Sequence, residues 1–160
     1  MLKTSLAAAC AAVALLATAG ASSAAADLRP PAGTPMATQH LNPNTATAAQ
    51  LGAVPGLTPA LVAEIIKARP YKTQGDFHKV VSAKVAAEQL PAVYAGVFVP
   101  INLNTGSAED IALIPGMSRR MTHEFEEYRP YKDMAQFDRE IGKYVDAAEV
   151  ARLRSYVTLN

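Results

Sequence analysis

Few residues in this chain have types and spacing suited to chemistry. Gly56-Leu57-Thr58 and Gly116-Met117-Ser118 each follow a proline and precede a run that reads as helix. A helix N-terminus carries backbone N–H groups without intrahelical partners and a partial positive charge, so it attracts anions. Glycine lets a ligand come close to the backbone there. Arg119 and Arg120 directly follow the second bend. Elsewhere, His123 and Glu127 share a helical face in the segment HEFEE. That segment is not the HExxH of zinc hydrolases, and it reads as a solvated charged face. His40 and His78 have no partner close in sequence. No serine, threonine or lysine lies in a nucleophile motif, and the glycines form no nucleotide-binding loop. The reading is therefore of a non-enzymatic protein, with no metal site and no cofactor.

The elements that must position these residues begin well into the chain. Lys3, the apolar run from Leu6 to Thr18 and the small residues Ala24-Ala25-Ala26 have the layout of a signal peptide over 1–26. The apolar run is too short to span a bilayer stably. Cleavage near Ala26/Asp27 predicts a periplasmic or secreted product with no membrane insertion of the mature chain. Cys10, the single cysteine, lies inside the signal segment, so the mature chain is expected to have no disulfide and no thiol chemistry. Residues 27–40, DLRPPAGTPMATQH, read as a disordered linker. Without Lys3 the chain holds 14 basic and 14 acidic side chains, so no net field draws it to nucleic acid or to an anionic membrane.

From Leu41 onward, a shift of 60 residues lays the chain on itself without a gap. LNPNTATAAQLGAVPGLTPALVAEIIKARPYK aligns with INLNTGSAEDIALIPGMSRRMTHEFEEYRPYK. Apolar positions exchange for apolar ones, as at Leu51/Ile111, Ile65/Phe125 and Val81/Ile141, and Phe77/Phe137 are identical. This marks a tandem duplication over 41–100 and 101–160. Within each copy, Thr47 with Gln50 and Ser107 with Asp110 have the spacing of a capped helix start. Pro-Gly stops that first helix, and a second begins after Thr58 or Ser118, with Pro59 suited to the first turn. Met121, Phe125 and Tyr128 give it one buried face, leaving Glu124 and Glu127 toward water. Arg-Pro ends the second helix, with Arg69 and Arg129 expected to complement its dipole and Tyr71 and Tyr131 expected in the core. Third helices are predicted around Phe77/Val81 and Phe137/Ile141, and fourth helices over Ala86–Val93 and Ala147–Leu153. Val97-Phe98-Val99 and Tyr156-Val157-Thr158 should close the copies as extended segments. Units this small sit near the lower limit for an independent core, so the two are expected to share an interface.

The succession Asn-Leu-Asn-Thr, capped helix, Ile-Pro-Gly-Met, second helix ending in Tyr-Arg, then Pro-Tyr-Lys and a phenylalanine resembles the helix-hairpin-helix module of the ComEA type. That module occurs in competence DNA receptors and small secreted proteins. The resemblance covers Leu41 to Asn160, twice over, and is strongest at 101–132. It implies an all-α fold of two tandem helix-hairpin-helix (SAM-like) units of about 60 residues with short extended segments at their ends. It also implies weak, sequence-independent binding of the duplex DNA backbone by Gly56, Leu57, Thr58, Gly116, Met117, Ser118, Arg119 and Arg120, with Lys67, Lys72 and Lys132 as auxiliaries. DNA-binding members carry Gly-hydrophobic-Gly at the hairpin, whereas Thr58 and Ser118 occupy the second glycine position here. Their side chains can cap the helix and take amides that a phosphate would use, and Pro59 removes another. Residues 41–100 hold five basic and three acidic side chains, residues 101–160 eight and ten. A second expectation therefore stands beside DNA: an envelope protein partner, with the chain as an assembly module beside type II secretion or pilus machinery, or like an extrinsic photosystem II subunit.

Overall fold

The computed structural model describes residues 40–159. The signal peptide read over 1–26 lies outside the described residues, as does the linker as far as residue 39. The fold is all-α in class, with one small two-stranded sheet. The first half contains α1 (Ala48–Gly52), α2 (Pro59–Lys67), α3 (Gln74–Ser82), a 3-10 turn (Ala87–Gln89) and α4 (Leu90–Gly96). The second contains β1 (Ile101–Asn102), α5 (Ala108–Ala112), α6 (Arg119–Glu127), α7 (Met134–Ile141), α8 (Ala147–Arg154) and β2 (Val157–Thr158). The order of helices is thus the same in both halves.

Short polar side chains start these helices. Thr47 caps α1 in a full capping box with Gln50. Thr58, Thr73, Ser107, Ser118, Asp133 and Asp146 each accept the amide three residues ahead. The expected fourth helix of the first half divides: a 3-10 turn precedes α4, which starts later than the expected Ala86 and carries Pro91 in its first turn. Proline fits there because its missing N–H would have no intrahelical partner.

Four fully buried phenylalanines, Phe77, Phe98, Phe125 and Phe137, anchor the core. Phe77 meets Tyr71 edge-on at 5.3 Å and Phe125 meets Phe137 at 5.2 Å, a favourable arrangement for ring quadrupoles. Tyr71 and Tyr131 are buried, as expected.

The extended ends pair backwards onto the start of their own half, which sequence reading did not foresee. Leu41 bridges Val97 in parallel, and β1 pairs with β2 in parallel, Ile101 with Val157 and Asn102 with Thr158. A second closure explains the repeated RPYK. Asn44 accepts the Tyr71 amide at 2.7 Å and donates to the Tyr71 carbonyl at 2.9 Å; Asn104 does the same for Tyr131 at 2.7 and 3.0 Å. Both Arg-Pro bonds that precede these tyrosines are cis. Arg69 donates to the Ala46 carbonyl at 2.5 Å, and Arg129 donates to Leu103 at 2.6 Å and Gly106 at 2.7 Å. The arginines, each directly after the C-cap of α2 or α6, therefore also clamp the loop before α1 and α5.

The halves share one hydrophobic core. Phe98 packs edge-on against Tyr156 at 4.8 Å. Buried Gln74 accepts the Val99 amide at 2.9 Å, and buried Asp110 accepts the Gly75 amide at 2.6 Å and the Ser107 hydroxyl at 3.0 Å. The Asp110 carboxylate thus lies against the N-termini of both α3 and α5, where helix dipoles favour it. His40, placed in the linker by the sequence reading, belongs to this junction. Its ring stacks on Tyr156 at 3.7 Å, with Nδ1 2.8 Å from the Ala95 carbonyl and Nε2 2.8 Å from the Ser155 hydroxyl.

Candidate anion site at the Pro-Gly bends

Each bend forms because the chain must reverse between two short helices. Gly56 has φ of 89° and Gly116 of 78°, in the left-handed region open chiefly to glycine. The next residue turns inward. Leu57 is buried and Met117 half-buried, and their amides donate back to Val54 at 3.2 Å and Ile114 at 3.0 Å. That inward anchor leaves Gly56, Thr58, Gly116 and Ser118 exposed.

The caps do what their types dictate. Thr58 accepts the Leu61 amide at 3.3 Å and Ser118 the Met121 amide at 3.2 Å. Each helix start therefore has one fewer donor for an anion, and in α2 Pro59 removes a further one. The first two amides of α6, those of Arg119 and Arg120, keep no intrahelical acceptor.

Among the described residues, cations gather at the second bend rather than the first. The Arg119 and Arg120 side chains are exposed. Arg120 also lies 3.8 Å from Glu124 and stands over the Tyr144 ring at 5.4 Å. Glu124 is 7% exposed, against the expectation that it faces water. It lies about 60° around the helix from Met121 and closer still to Tyr128, so it falls on the flank of the buried face rather than opposite it.

Arg152 completes this group and was missed in the sequence reading. Its Nη2 lies 3.6 Å from where a side chain on Gly116 would begin. Glu149 holds the guanidinium through two bonds of 2.6 and 2.7 Å, and the group stands 5.7 Å from the centre of the Tyr156 ring. These bonds hold the Glu149 carboxyl below its ordinary value. The spacing of Glu149 and Arg152 signals a helical ion pair, but nothing local ties it to a bend more than thirty residues away. In the first half, Ala92 and Gln89 stand at the matching positions, and the neighbour of Gly56 is Val93 at 3.1 Å.

The auxiliary lysines are not brought to the bends. Lys67 ends α2, about 12 Å along the helix from Pro59, and Lys72 follows the Arg-Pro turn beyond it. Lys132 has the corresponding place after α6. His123 pairs with Glu127 at 3.7 Å on an exposed face. Among the described residues no group of three histidine, cysteine, aspartate or glutamate side chains could hold a metal ion. No described helix is long and apolar enough to cross a membrane.

Compared with family models, with curated proteins and with solved structures, the chain finds no match.

Proposed function

We propose that this chain is a secreted or periplasmic, non-catalytic protein of two tandem helix-hairpin-helix units that holds the backbone of duplex DNA without reading its bases. The observation that carries the reading is the second bend. An exposed, left-handed Gly116 stands there at the start of a nine-residue helix, flanked by the exposed side chains of Arg119 and Arg120 and by Arg152. Free amides and guanidiniums at one point suit a phosphate, and neither discriminates between bases. The first bend has the same backbone but carries Pro59, Ala60 and Ala92 in place of Arg119, Arg120 and Arg152, so it makes the weaker contact.

Binding of this kind is governed by counterion release. With about three phosphates neutralised, affinity falls roughly forty-fold between about 50 and 200 mM salt. The test is a salt-titrated binding isotherm of the protein on a random-sequence duplex. Arg119→Glu is the decisive variant, because among the described residues the Arg119 side chain has no partner that its loss would disturb, whereas Arg120 lies beside buried Glu124. Binding that weakens markedly and loses salt slope in Arg119→Glu supports the reading. Retention that ignores both salt and Arg119 would sink it, and leave the envelope-assembly role.

A further inference from the structure

One groove is treated differently by the two halves. In the second half the space between α6 and α7 is filled from within. Tyr128, which ends α6, and Tyr144, in the turn after α7, bring their hydroxyls to 2.9 Å. The Lys143 ammonium stands 5.1 Å from the centre of the Tyr128 ring, and the Arg120 guanidinium 5.4 Å from that of Tyr144. Behind them Glu124 is buried, and among the described residues its Oε2 has no hydrogen-bond partner.

A shift of 60 carries Tyr128 onto Ala68, Tyr144 onto Lys84, Lys143 onto Ala83, Glu140 onto Val80 and Glu124 onto Glu64. Both rings are therefore missing from the first half, while the helices that flank them remain. The groove between α2 and α3 stands open as a cavity of about 430 Å³ lined by Glu64, Lys67, Ala68, Val80, Ala83 and Lys84. That volume suits a small ligand or a large side chain. Its walls are alanine methyls, Val80 and the lysine stems, which carry apolar surface behind a charged head. Its rim holds the Glu64 carboxylate, half exposed, with the Lys84 ammonium 3.7 Å away.

We propose that this groove docks a tyrosine side chain presented by a partner protein. The second half shows that phenol rings fit between this pair of helices, with cations over their faces and a carboxylate behind them. In the first half, Lys84 or Lys67 supplies the cation and Glu64 the acceptor for the phenol hydroxyl. The ring is assigned to a different protein, because the aromatic side chains of this sequence are already engaged. It contains six tyrosines, four phenylalanines and no tryptophan, and none precedes Tyr71. Tyr71, Tyr94, Tyr131, Tyr156 and all four phenylalanines are buried, while Tyr128 and Tyr144 hold each other. The inference is independent of the DNA reading.

The test is a titration of the whole ¹⁵N-labelled protein with N-acetyl-tyrosinamide, and in parallel with N-acetyl-leucinamide, followed by NMR. Saturable shifts are expected at the amides of Ala68, Val80, Ala83 and Lys84, with the tyrosine amide bound about threefold more tightly, the margin a cation over a ring supplies at a wet site. The double variant Ala68→Tyr/Lys84→Tyr, which copies the second half, should abolish the response. Equal affinities for the two amides, shifts scattered away from the groove, or full binding by the double variant overturn the proposal. If the double variant loses its cooperative unfolding, Val80→Glu takes its place, since the second half carries Glu140 there, and the same loss is expected.

Discussion

Asp110 shows how much one side chain decides. It is buried, and both oxygens are used: one accepts the Gly75 amide at 2.6 Å, the other the Ser107 hydroxyl at 3.0 Å. Gly75 suits this position, because a side chain there would begin 3.2 Å from that same oxygen. Asp110→Ala removes both acceptors and leaves the Gly75 amide and the Ser107 hydroxyl without this partner. Leaving a buried group unsatisfied costs about 2 kcal/mol, so the urea midpoint should fall with an unchanged slope. An unchanged midpoint would mean that the carboxylate contributes no net stability at the junction. The spacing from Ser107 identified Asp110 as a helix-start residue, and it is one. Its longer-range partner, Gly75, lies 35 residues back and leaves no trace in local pattern.

At the scale of elements, the bends are a compromise between stability and access. Each cap satisfies one amide and so stabilises α2 or α6, while removing that amide from any bound anion. Thr58→Gly with Ser118→Gly should therefore act in opposite directions on two measurements. Unfolding free energy should drop by a few tenths to about 1 kcal/mol per helix, whereas affinity for duplex DNA at low salt should rise. Circular dichroism in denaturant and a binding isotherm on the same preparations separate the two. Lower stability without any gain in affinity would sink the claim that caps compete with phosphate. The helices themselves were legible in sequence because caps, Pro-Gly stops and apolar spacing are local. Glu124 was not, since its burial depends on Tyr144 from a later turn covering the flank of α6.

At the scale of the molecule, His40 joins the halves. It stacks on Tyr156 and touches the Ala95 carbonyl and Ser155. Burial lowers its pKa first, the bond to the Ala95 carbonyl opposes this, and the nearby Arg152 charge lowers it further. The unfolded chain therefore takes up a proton more readily than the folded one. His40's contribution is complete above its unfolded value of about 6.5 and is lost as pH falls toward the lower folded value. Comparing the protein with His40→Gln in denaturant at about pH 7.5 and about pH 5.5 checks the sign: the stability gap between them should narrow in acid. A gap that widens in acid would show that the imidazolium, not the neutral ring, fits the junction.

By itself the sequence determined the duplicated plan, the caps, the Pro-Gly bends and the aromatic core, all of which follow from residue type and short spacing. Tertiary structure alone decided that Arg69 and Arg129 close a loop, that Arg152 stands beside Gly116, that His40 joins the halves, and that one groove is filled where its counterpart is open. Each of those pairings unites residues far apart in the chain, and periodicity reports the face a residue occupies, not the distant side chain that meets it.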